Sequence, residues 1–210
     1  MSQFNIKLSF LLFIAFILLG CNSSNSPKLS ALNNNDVILA FGDSLTKGVG
    51  VKAQNSYPSV LAELTGLDVI NSGVSGETTH GGLKRFRQTI IEHNPSLVIL
   101  LEGGNDILRN ISHAQIEKNL EQMIGIAQSL KVQIVLIGVP EKSLFSDSAP
   151  FYNILAEKFN LVFNAELISN LMRTPSMKSD SIHFNKEGYA LMAKEIYELL
   201  LESGAFESSD

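Results

Sequence analysis

The chain has one cysteine, no tryptophan and six prolines among its 210 residues. A lone Cys21 cannot close an internal disulfide, so stability must come from a packed core, which a chain of this length is able to build. Four histidines accompany that cysteine, and His80, His93 and His113 show no ligand spacing, so no metal is expected. Positive charge is also scarce. Sixteen Lys and Arg against twenty-one Asp and Glu leave a net charge of −5 with no basic run, which argues against nucleic acid as a partner. The longest apolar stretch, Leu8 to Leu19 with Ser9 as its only polar member, falls short of the roughly 20 residues that span a bilayer. What remains is 45% hydrophobic and 18% charged, the composition of one ordinary globular domain.

The amino terminus reads as an address. Lys7 followed by the apolar run has the form of a signal peptide over residues 1–20. Leu18-Leu19-Gly20-Cys21 resembles a bacterial lipobox, which implies that Cys21 is acylated and becomes the first mature residue. The resemblance places the protein on the periplasmic side of the cell envelope, and Asn22 after the cysteine points to the outer membrane. From 21 to 35 the sequence turns to Asn and Ser, too poor in apolar side chains to offset the entropy of ordering, so a flexible tether is expected. The folded domain is expected over 36–203 and a frayed tail over 204–210.

Within the domain, short apolar runs alternate with longer amphipathic ones. Strands are predicted at Val37 to Phe41, Leu67 to Asn71, Leu97 to Leu101, Val132 to Gly138 and Asn160 to Phe163. The third and fourth are nearly unbroken Val, Ile and Leu, as in strands buried on both faces. Helices are predicted at Tyr57 to Thr65, Leu83 to His93, Ala114 to Leu130, Phe151 to Lys158 and Lys186 to Leu201; in the third, Ile116, Leu120, Met123, Ile124 and Ala127 form one stripe. Alternation of this kind calls for right-handed crossovers and a three-layer α/β/α domain on a five-stranded parallel sheet. Ligands in such sheets sit beyond the carboxyl ends of the strands.

Those ends carry a consistent chemistry. Gly42-Asp43-Ser44-Leu45-Thr46 follows the first strand, Ser72-Gly73-Val74-Ser75-Gly76 the second, and Glu102-Gly103-Gly104-Asn105-Asp106 the third; Asp180-Ser181-Ile182-His183 precedes the last helix. A serine hydroxyl needs a base, and an imidazole oriented by a carboxylate serves near neutral pH. Ser44 is the expected nucleophile, His183 the base and Asp180 its partner three residues earlier. The amides of Ser44 and Gly73 and the Asn105 side chain are the expected oxyanion donors, with glycine at 73 admitting the substrate close to the backbone. Asp43 and Asp106 read as turn-stabilising carboxylates.

Together these four blocks resemble the GDSL, or SGNH, hydrolases across the whole domain. Gly-Val-Ser-Gly-Glu-Thr-Thr from 73 and Gly-Gly-Asn-Asp-Ile-Leu-Arg from 103 resemble the branch of thioesterases, lysophospholipases and arylesterases. That resemblance implies a flavodoxin-like sheet, an acyl-enzyme and no cofactor. Ser181 and Phe184 stand where the family commonly has Gly and Pro, and the loop from Glu141 to Phe151 lacks the branch's tyrosine-rich pattern. Phe145 and Phe151 are candidates either for an acyl groove or for plain packing.

The expected substrate is a small ester or thioester with a single acyl chain. Rival readings are an acetyl esterase on cell-wall or other carbohydrate, and a non-catalytic envelope binding lipoprotein. Two motifs fail on inspection. Ser75 lacks the closing glycine of a nucleophile elbow, because Glu77 stands there. Gly48-Val49-Gly50 imitates a dinucleotide fingerprint, but Asp68 falls at the start of the second strand instead of its end.

Overall fold

The computed structural model describes residues 26–142 and 147–206. The signal peptide, Cys21, Phe145 and the end of the tail lie outside the described residues.

Five parallel strands form one sheet: β1 (Val37–Gly42), β2 (Asp68–Gly73), β3 (Leu97–Leu101), β4 (Gln133–Ile137) and β5 (Val162–Asn164). Their spatial order is β2-β1-β3-β4-β5, the doubly wound arrangement. Every residue of β3 is buried, as its unbroken apolar run requires, whereas edge strand β2 has none fully buried. Gly42 at the end of β1 pairs with both Gly73 and Leu101, so three strands finish level with one another. This register brings the segments that follow them to a common rim.

Helices cover both faces. They are α1 (Ser44–Lys47), α2 (Tyr57–Thr65), α3 (Thr79–His93), α4 (Gly104–Leu108), α5 (His113–Ser129), α6 (Pro150–Phe159), α7 (Leu167–Arg173) and α8 (Lys186–Glu202). One layer packs α2 and α7 against α8, the other packs α3 and α6 against α5. The α5 stripe, Ile116, Leu120, Met123, Ile124 and Ala127, is wholly buried. Phe41 on β1 meets Phe86 on α3 edge to face at 4.8 Å, an aromatic contact that joins sheet to helix.

Several boundaries differ from those expected. Helix α3 begins four residues early, at Thr79, because the Asp106 carboxylate accepts from the Thr79 amide (2.8 Å) and its hydroxyl (2.6 Å) and anchors the first turn. Gly82 in its first turn is a packing residue: a side chain there would approach Phe41 and Met123 at 3.2 Å. Part of the expected tether also rests on the domain. The Leu29 and Leu32 amides donate to the carbonyls of Ser203 and Ala205, and Ser30 exchanges two hydrogen bonds with Gln133. Residues 28–36 therefore run past the edge of the sheet where strands begin, and Ala205, in the expected tail, is fully buried beneath them.

Candidate active site

The chain turns abruptly after β1. Gly42 has no room for a side chain, since a Cβ would lie 2.2 Å from the Leu101 carbonyl. Asp43 then caps α1, its Oδ1 accepting from the Leu45 amide at 3.0 Å. The single helical turn that results places Ser44 at the rim with its amide among the unpaired donors of a helix start.

His183 arrives from the other end of the sequence. Ser179 and Asp180 amides donate to the His183 carbonyl, and Phe184 is fully buried against Tyr189, which pins the loop onto α8. Nε2 of His183 lies 3.1 Å from Ser44 Oγ, and Nδ1 lies 2.8 Å from Asp180 Oδ2. The other Asp180 oxygen accepts from the Ile182 and His183 amides, both at 2.8 Å. Those amide bonds, led by His183's, hold the Asp180 pKa down at about 2. A carboxylate, an imidazole and a hydroxyl therefore form one chain, drawn from segments 139 residues apart.

The expected oxyanion donors are not all placed alike. Asn105 lines the cavity beside Ser44, with Nδ2 donating to Asp43 Oδ2 at 3.0 Å. Gly73 does not reach it. Its amide donates to Asn71 Oδ1 at 3.0 Å, and its missing side chain makes room for α1, since a Cβ would stand 2.1 Å from the Lys47 nitrogen. Gly73 is therefore a packing residue under α1, the helix that begins with Ser44, and does not line the cavity.

Three residues on, Gly76 lines the cavity at the corner of a turn closed by Glu77 N to Val74 O. Its φ of +76° favours glycine. Among the described residues its amide has no acceptor. Arg109, just after α4, donates to the Gly76 carbonyl at 2.9 Å, and Arg85 binds Glu77, Ser72 and the Phe41 ring face. Two arginines thus hold that turn. In the sequence this position is marked by the second glycine of Gly-Val-Ser-Gly, and not by the first, Gly73.

In outline the arrangement can perform acyl transfer: a hydroxyl beside an imidazole, with hydrogen-bond donors, in the wall of one largely aliphatic cavity. The sequence model of the GDSL-like Lipase/Acylhydrolase family matches residues 40–191, which contain all of these groups. The chain belongs to that family. An arylesterase of Vibrio mimicus is 30% identical over 184 residues, 82% of this chain and 92% of the relative. The thioesterase 1/protease 1/lysophospholipase L1 of Escherichia coli K12 is 28% identical over 166 residues, 75% of this chain and 80% of the relative. Among solved structures, the SGNH-hydrolase family esterase AlinE4 shares 29% identity at a TM-score of 0.64, covering 82% of this chain and 98% of that one.

In this acylhydrolase the cavity has a volume of about 370 Å³, at the small end of ligand pockets. Ser44, Asn105 and His183 stand in its wall, while Leu45, Leu101, Ile107, Leu108, Val139 and Met172 make its lining largely aliphatic. Met172 comes from α7, a helix the hydrophobic pattern did not disclose. Phe151 stays out of the cavity, buried against Tyr152 at 4.5 Å and His113 at 5.3 Å.

Proposed function

We propose that this chain is a serine esterase that hydrolyses carboxylic esters or thioesters bearing a single acyl chain. The observation that carries this reading is the Ser44–His183–Asp180 chain of contacts opening on an aliphatic cavity. Ser44 Oγ attacks the carbonyl carbon while His183 Nε2 takes its proton. Negative charge on the carbonyl oxygen is met by the amides of Ser44 and Gly76 and by Asn105 Nδ2. The imidazolium then protonates the departing alcohol or thiol. Water attacks the acyl-Ser44 intermediate with His183 again as base, which releases the acid and restores the hydroxyl. Asp180 fixes the imidazole so that Nε2 faces the serine.

The names of the relatives, an arylesterase and a thioesterase/lysophospholipase, support a substrate with one acyl chain. The lining supports it too, because a purely acetyl-specific site has little use for six aliphatic side chains. A panel of p-nitrophenyl esters of graded length tests the proposal. Octanoyl esters are expected to outpace acetyl esters in kcat/KM. No turnover at any length would defeat the reading, and a strong acetyl preference would transfer it to the carbohydrate acetyl esterase.

Envelope attachment through acylated Cys21 is part of the same proposal. Lys7, the apolar run and the single cysteine at its end support it. Since residues 28–36 pass the edge of the sheet opposite Ser44, such an anchor leaves the cavity facing water. That geometry favours dispersed single-chain substrates over lipid packed in the same leaflet. Metabolic labelling with a fatty acid, lost in Cys21→Ser, checks the attachment.

A further inference from the structure

Asp43 caps α1 with one oxygen, and that duty needs only one. Asn and Ser cap helices as well as Asp does, and neither would place a charge in the protein interior. Yet Asp43 is 5% exposed. Its second oxygen, Oδ2, accepts from Asn105 Nδ2 at 3.0 Å across 62 residues of sequence. Gly104 permits the approach, because a side chain there would meet Oδ2 at 3.2 Å.

We propose that Asp43 is the positioning residue that aims the Asn105 carboxamide at the oxyanion site. This rests on the hydrolase reading above and adds a residue to it. A carboxylate only accepts, so it admits the amino end of the Asn105 amide and rejects the carbonyl end. One Nδ2 hydrogen is thereby held by Asp43, and the other is left facing the cavity. Rotating the amide by half a turn would present an oxygen to the developing oxyanion instead.

Protonation of Asp43 should undo this. The Leu45 amide is fixed in the backbone and keeps Oδ1 as its acceptor, so a proton on Asp43 goes to Oδ2 and faces Nδ2 donor to donor. The other orientation of the Asn105 amide, with its oxygen accepting from the new O–H, is then no longer rejected. Burial, the first cause, lifts the Asp43 pKa to about 6, against the pull of the Leu45 amide, His183 and Asn105. The ionisable groups around it are His183, Asp106, Glu102, Tyr57, Tyr152 and Tyr189. Of these, the Asp106 charge pushes in the same direction as burial.

The test uses the full chain and p-nitrophenyl esters. Asp43→Asn keeps the volume and the cap but turns its second atom into a donor. The expected result is a loss in kcat of about 10- to 1000-fold, with KM within about threefold and soluble-probe labelling at Ser44 slowed in parallel. Asp43→Asn should cost almost nothing further when Asn105 is already Ala. Wild-type kcat should fall with two protons on the acid side, and with one in Asn105→Ala, where the Asp43 charge no longer matters to the rate. That last comparison holds even if Asp43→Asn does not fold. Wild-type kcat in Asp43→Asn, additive losses in the double variant, or identical acid slopes in wild type and Asn105→Ala would each overturn the proposal. A wild type that neither turns over esters nor takes a fluorophosphonate on Ser44 would instead defeat the hydrolase reading itself.

Discussion

Replacing Gly73 by alanine separates two accounts of that glycine. If it served to admit the substrate, alanine would raise KM and leave stability alone. The structure gives it another duty. The added Cβ would stand 2.1 Å from the Lys47 nitrogen and 2.6 Å from Lys47 Cα, both backbone atoms of the turn that begins with Ser44. Restoring an ordinary contact near 3.4 Å requires α1 and the end of edge strand β2, which is in register with Gly42, to part by about 1.3 Å. Overpacking of this kind costs about 1–3 kcal/mol, or about 2–12 °C in Tm for a domain of this size. A displacement near 1 Å at a nucleophile costs on the order of 100-fold in rate. Gly73→Ala should therefore lower both Tm and kcat while KM changes little. Differential scanning calorimetry and ester hydrolysis on the same preparation measure both. Gly76→Ala is the contrast: its nearest neighbour would be Arg109 Nη2 at 3.8 Å, so it carries only the cost of about 1–2 kcal/mol for a left-handed residue. A Gly73→Ala protein with wild-type Tm and kcat and a raised KM would refute the reasoning.

Other expectations follow from the same geometry. Asn105→Ala should reduce kcat by about 100- to 1000-fold with little change in Tm, measured with a soluble ester. Asp180→Asn should lose about 10,000-fold, because its amide would donate to Nδ1 and leave Nε2 protonated toward Ser44. With the Asp180 pKa held near 2, its carboxylate stays ionised above mildly acidic pH, so its removal should not account for the acid limb of the rate profile. That limb should carry the Asp43 proton, taken up near pH 6, together with the one on the base that accepts the serine proton, and a rate that is flat through the acid range would contradict both roles. For chain anchored in vesicles, six residues separate Cys21 from Lys28, and the seven Cα-to-Cα steps reach at most about 25 Å. A fluorophosphonate fixed to a phospholipid headgroup by a short spacer should then label Ser44 far more slowly than the soluble reagent. Equal rates would show that the cavity faces the membrane.

The sheet was legible because β3 and β4 are nearly unbroken apolar runs and because the α5 stripe keeps helical spacing over about three turns. Their order along the chain implied parallel pairing, and the strand-end rule then led to Ser44, Asn105 and the Asp180–His183 segment. What escaped the sequence was local. Helices α1 and α4 are only four and five residues long, too short for a periodic signal, and each starts at a residue with its own special geometry, Asp43 or Gly103. The start of α3 depends on Asp106, 27 residues away. Gly73 and Gly76 both follow β2 closely, and which of them faces the cavity depends on where α1 lies, a three-dimensional fact. Residues 28–36 read as tether because they are held mainly by the Leu29 and Leu32 backbone amides, which donate to the Ser203 and Ala205 carbonyls just after α8, and no side-chain pattern announces such bonds.

The most direct test of the account is the crystal structure of the chain after reaction with an alkyl fluorophosphonate. Phosphorus should be bonded to Ser44 Oγ, with the phosphoryl oxygen about 3 Å from the Ser44 amide, the Gly76 amide and Asn105 Nδ2. The alkyl chain should lie between Ile107 and Met172. Phosphorus on another residue, or a phosphoryl oxygen turned away from Gly76 and Asn105, would contradict the site described here.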